Sequence, residues 1–88
     1  MNYFANIVNN IVTEVIVVAA ESCNNLPFPA SEPYGQAFIL SLGQLGDWLQ
    51  TSITGEYRNC YAGIGYSFDP LLGEYGEFIK PPSPEPVE

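Results

Sequence analysis

The sequence has no histidine, and in 88 residues only Arg58 and Lys80 carry positive charge, against ten Asp and Glu. Each shortage excludes something. Without histidine, the commonest general base and the usual activator of Ser or Cys nucleophiles are missing. Ser22-Cys23 therefore has no histidine to activate it. The same absence, with two cysteines far apart and no CxxC spacing, leaves no zinc ligand pattern. A net charge of -8 argues against nucleic acid, where affinity comes mainly from Lys and Arg on phosphates. It also argues against an anionic membrane surface. Long hydrophobic runs are missing too. The longest, residues 15–20, is far short of the roughly 20 residues that span a bilayer. The N-terminus has no basic region, and its apolar stretch is broken by Asn6, Asn9, Asn10, Thr13 and Glu14, so no secretory signal is read. Synthesis in a cytoplasm, with no export address carried by the chain, is the expectation.

What remains is a short chain suited to one domain. A domain this size buries a limited share of its surface and often leans on a disulfide, a metal or a partner. Cys23 and Cys60 admit two readings. One is a disulfide closing a long loop, worth about 2–4 kcal/mol. The other is two free thiols, which a reducing compartment favours.

The expected fold is mainly β, with α+β as the alternative: an N-terminal hairpin, a short central helix, a strand, a C-terminal hairpin and an extended proline-rich tail. Residues 1–80 form the domain and residues 81–88 the tail. Residues 3–18 are rich in Val, Ile and aromatics around Asn9-Asn10. Asn tolerates positive φ, so the pair suits a two-residue turn. That register puts Val8 opposite Ile11, Ile7 opposite Val12 and Phe4 opposite Val15. Phe4, Asn6, Val8, Ile11, Thr13, Val15 and Val17 would then share one face. Both faces are largely apolar, so both should be covered, by the rest of the chain or by another protein.

Residues 19–25, AAESCNN, suit one helical turn, and residues 24–35 read as a loop because Pro27 and Pro29 push their predecessors into extended conformations. Phe28 and Tyr34 should tack that loop to the core. Residues 36–42 fit a short helix, with Ala37, Leu40, Phe38, Leu42 and Leu45 on its apolar side. Gly43 and Gly46 weaken it. Residues 48–53 alternate as a strand. Trp48 reads as a core anchor, the alternative being an exposed interface anchor. Residues 60–69 read as a strand weakened by Gly63 and Gly65. Residues 77–80 return as a strand, bringing Phe68 near Phe78. The tail, with four prolines after Lys80, is either a loose terminus or an arm laid across a neighbouring subunit.

No site chemistry is legible. Glu74 with Glu77, or Asp69 with Glu74, lie in a glycine-rich turn, where solvation is the simpler reading than a tuned acid–base pair. Gly63-Ile64-Gly65 begins like GxGxxG, but Phe68 occupies the third glycine position and no helix follows. Asp69, Glu74 and Glu77 lack EF-hand spacing. No enzyme activity, cofactor or metal is expected. Tyr57, Tyr61, Tyr66 and Tyr75 suit either a protein-contact surface or a ring around a small core.

Four segments occur in an order that resembles a family of small tailed-phage proteins, of the kind found in phages of marine bacteria and cyanobacteria. They are FANIVNNIVTEVIVV at residues 4–18, WLQTS at 48–52, RNCYAGIGYSFD at 58–69 and FIKPP at 78–82. The family pattern runs YAxIxNNxVxxVIV, then W-x-QTS, then R-x-NYAGIGYTYD and FIPPKP. Here Asn59-Cys60 replaces Asn-Tyr, Ser67-Phe68 replaces Thr-Tyr, and the extension seen in many relatives is not expected beyond Glu88. The resemblance implies a virion structural accessory protein, most simply a capsid decoration or cement protein. Its partners would be other virion proteins, the major capsid protein first, with a homo-oligomer possible. Tail, neck or fibre components and a non-virion protein acting on a host target are the alternatives. Expected partner contacts are Tyr3, Phe4, Tyr61, Tyr66, Phe78, Ile79, Pro81 and Pro82.

Overall fold

A computed structural model of the chain describes residues 1–81. The architecture is mainly β. Five antiparallel strands form one curled, half-barrel sheet with a single α-helix. The strands are β1 (Asn2–Val8), β2 (Ile11–Val18), β3 (Asp47–Thr51), β4 (Ser67–Asp69) and β5 (Glu77–Ile79). Their order across the sheet is β3-β1-β2-β4-β5, so the two hairpins share it.

The Asn9-Asn10 turn forms as its residue types require, with both residues at positive φ, 52° and 64°. Val8 pairs Ile11 and Ile7 pairs Val12 as expected. The register then shifts between Asn6 and Ile7, leaving Thr13 as the extra residue of a β-bulge. Thr13 Oγ1 donates to the Asn6 carbonyl across it. Beyond the bulge every β2 side chain changes face relative to the simple register. Phe4 therefore faces Ile16, not Val15. Val15 joins Ala5, Ile7 and Val12 on the inner face. Ile16 and Val18 join Phe4 on the outer one.

Each face has its own core, and the chain itself covers both. The sheet curls around Ala5, Ile7, Val12, Ala62, Phe68 and Phe78. Phe68 and Phe78 are direct partners across β4 and β5, with rings 5.1 Å apart. The outer face buries Phe4, Val18, Cys23, Ile39 and Trp48. Two elements contribute to that cluster, a 3-10 turn (Ala20–Cys23) and α1 (Ser31–Ser41). Trp48 is a core anchor. Cys23 and Cys60 are free thiols packed in the cores on opposite faces of the sheet.

The helix starts five residues earlier than its sequence suggests. Pro33 falls in its first turn, where a missing N–H deprives no acceptor. The buried stripe is Ser31, Gly35 and Ile39, spaced four apart. Gly35 brings the helix onto the sheet, since a Cβ there would overlap the Phe4 ring. Ala37, Leu40, Leu42 and Leu45 are exposed, opposite to expectation. The β4 strand is also shorter than read. Residues 60–66 lie outside any strand, with a turn at residues 64–65 and the Tyr66 ring lying over Gly63.

Candidate protein-contact surface

Arg58 determines which parts of this sheet remain open. Its backbone is left-handed, at φ 59°, followed by Asn59 at 75°. That conformation is uncommon for a non-glycine residue. It is held by an unusual number of contacts. The Arg58 carbonyl accepts the Phe78 N–H of β5 at 3.0 Å. Its Nη1 donates to the Gln50 carbonyl of β3 at 2.8 Å. One residue thus binds both outer edges of the curled sheet. Nε donates to the Tyr75 carbonyl at 3.0 Å, and the two terminal nitrogens fork onto both oxygens of Glu32.

Glu32 completes the arrangement by accepting the Gln50 N–H at 2.7 Å. Ser31 Oγ donates to the Gln50 side chain at 2.7 Å. Gln36 Nε2 donates to the Trp48 carbonyl at 2.6 Å. The Trp48 carbonyl and both outward groups of Gln50 are therefore taken by α1 and Arg58. On β5, Asn59 Nδ2 and Cys60 Sγ both donate to the Phe78 carbonyl. Phe28 lies stacked on Tyr57 at 3.8 Å, edge-on to Tyr75, and against the Arg58 guanidinium.

Arg58 is consequently buried, and Lys80 is the one exposed Lys or Arg among the described residues. Glu14, Glu21, Asp47, Glu56 and Glu74 are exposed, so the surface is acidic. Against it stand Leu40, Leu42 and Leu45, 49%, 60% and 81% exposed, at the end of α1 and the turn after it. Leu40 also lines a depression of about 460 Å³ together with Ile7, Trp48, Leu49, Phe68 and Pro70. Exposed apolar groups gathered beside a charged surface make this end of the helix the candidate contact region.

The expected contact residues divide. Phe4 and Phe78 are fully buried, which corrects their assignment: a ring closed inside a core presents nothing to a partner. Tyr3 and Tyr61 are half-buried and pack edge to face. Tyr66 is half-buried against the inner core. Ile79 and Pro81 are exposed. Pro82 and the rest of the tail lie outside the described residues. Phe28 does fasten its loop, whereas Tyr34 stays exposed.

Among the carboxylates, Asp69 Oδ1 accepts the Leu71 N–H of its own turn. The residue facing Asp69 across the hairpin is Glu77. Among the described residues no three His, Cys, Asp or Glu side chains gather into a metal site, and no helix is long and apolar enough to cross a membrane. Burial, with Glu77 nearby, pushes the Cys60 thiol up, keeping it in its unreactive protonated form. Burial likewise raises Tyr57.

No family model, curated protein or solved structure matches the chain.

Proposed function

We propose that the chain is a phage virion structural accessory protein, a capsid decoration or cement protein that binds the major capsid protein. The observation that carries this reading is the exposed leucine cluster at the end of α1, set in an acidic surface. Leu40, Leu42 and Leu45 supply apolar area that nothing among the described residues covers, next to a depression that Leu40 lines. Apolar area buried on contact supplies affinity, and the surrounding charge supplies selectivity. The resemblance of four ordered segments to small tailed-phage proteins supports the virion setting.

Co-sedimentation with phage particles stripped of, or lacking, this protein tests the reading. Wild-type protein should pellet with the particles and saturate. Leu42→Asp with Leu45→Asp should stay in the supernatant while keeping the wild-type circular dichroism and melt. Wild-type protein that never pellets, or a double variant that pellets equally well, contradicts the assignment.

A further inference from the structure

Side chains and the Arg58 carbonyl take outward groups of β3 and β5, but β2 is different. Its pairing with β4 is a single register position, Ile11 with Ser67. Around it, Val12 donates to the Tyr66 carbonyl and accepts the Gly65 N–H. Antiparallel pairing alternates which residues point to each neighbour. Gln50 directs its N–H and carbonyl away from β1, so its partner Phe4 points toward β2. Ala5 and Tyr3 then point toward β3. Their β2 partners, Val15 and Val17, must direct both backbone groups off the open edge. Among the described residues neither Val15 nor Val17 has a hydrogen-bond partner on that side. The Val17 side chain is 53% exposed.

We propose that this edge pairs with the same edge of a second copy, joining two five-stranded sheets about a two-fold axis at Ile16. The register follows from the alternation. Val15 exchanges both backbone hydrogen bonds with Val17 of the second copy, and Val17 does the same with its Val15, giving four bonds. Ile16 meets Ile16. Glu14 falls opposite Val18, and the two Glu14 residues stand four positions apart along the strands, roughly 13 Å. That exceeds the roughly 8 Å over which exposed charges act at physiological salt. The segment Glu-Val-Ile-Val-Val, residues 14–18, is thus self-complementary, with β-branched residues at the contact and like charges separated. The bulge at Thr13 ends the open edge on one side and the 3-10 turn at Ala20–Cys23 ends it on the other. The contact is smaller than a standard interface, so the dimer is weak and strengthens when salt screens the acidic surfaces. It does not depend on the capsid reading, and its failure leaves that reading intact.

Sedimentation equilibrium from about 5 to about 500 µM, a range suited to a small interface, tests it. Two variants change only the open edge. Val17→Pro removes an outward N–H, and Val17→Lys places a charge on the seam. The wild type should reach a dimer with increasing concentration, and more readily with added salt. Each variant should weaken association roughly tenfold or more, with an unchanged far-ultraviolet spectrum. A wild type monomeric throughout overturns the proposal. So does a dimer that neither variant weakens, or one that dissociates as salt rises. Should Val17→Pro misfold, Val17→Lys carries the test alone.

Discussion

Arg58 and Glu32 form a forked ion pair, Nη1 to Oε2 and Nη2 to Oε1, that ties the segment after β3 to the first turn of α1. The two side chains are 6% and 16% exposed. In such surroundings the pair's net worth against an apolar replacement is small, but breaking it strands a charge and costs about 3–5 kcal/mol. That is a large part of the roughly 5–15 kcal/mol holding a small domain folded. Arg58→Ala should lower stability by about that amount in urea denaturation. Arg58→Gly should be milder by about 1–2 kcal/mol, because glycine accepts the left-handed backbone that alanine resists. Arg58→Lys should fall between wild type and Arg58→Ala, since an ammonium cannot serve Glu32, Gln50 and Tyr75 in one plane.

Gly35 tests the closeness of helix and sheet. Alanine would raise helix propensity by about 1 kcal/mol, yet its methyl would overlap the Phe4 ring, where overpacking costs about 1–3 kcal/mol. Gly35→Ala should therefore destabilise on balance. Combining it with Phe4→Leu should cost less than the sum of the two single changes, because the smaller side chain makes room. Additive melts would place the methyl elsewhere.

The alkaline limb of stability should be steep. Burial raises Tyr57 above its ordinary 10.0 and Cys60 above its ordinary 9.0. Below about pH 8 both groups are protonated in the folded and unfolded chains, and their contribution is constant. Above it the unfolded chain releases protons that the folded chain retains, so stability falls as pH rises. Tyr57→Phe should flatten this limb near pH 10 and above. It also deletes the hydroxyl's bond to the Thr51 carbonyl, for an offset of about 0.5–1.5 kcal/mol at pH 7. Urea midpoints from pH 7 to pH 11 give both effects.

Asp69 and Glu77 face each other across the β4–β5 hairpin. Like charges directly opposite are unfavourable by about 0.2–1 kcal/mol. Glu77→Gln should raise the melting temperature, by up to about 4–8 °C if the full kilocalorie is recovered. The same change should bring the Cys60 thiol down toward its ordinary value, measurable as faster alkylation at pH 8.

Much of this fold was legible in the sequence, and the reasons differ by element. Asn9-Asn10 marked its hairpin because two positive φ angles in succession suit few residues. Phe68 and Phe78 met because the turn between them leaves a short antiparallel return. The bulge at Thr13 was not legible, because a one-residue slip leaves the apolar pattern of Val and Ile intact on both faces. The helix start was hidden for another reason. Its buried stripe is Ser31, Gly35 and Ile39, with one large apolar residue, and two of the three are read as loop formers. Residues 24–25 and 58–59 repeat the left-handed pair of the first turn. Of these, Arg58 carries no such signal in its chemistry; being the sole arginine beside an asparagine was the available clue. Phe4 reads as a partner contact because both faces of the first hairpin are apolar enough to need cover, and Phe78 because it lies in the tyrosine-rich stretch that suits a contact surface. The chain's own helix and turns cover them instead.

The most direct test of the functional account is the stoichiometry of this protein in purified phage particles, measured by quantitative mass spectrometry against the major capsid protein. The account predicts many copies per particle, in a fixed ratio to the capsid protein and unchanged through repeated density gradients. Absence from the particles, with the protein confined to the soluble fraction of infected cells, would contradict it.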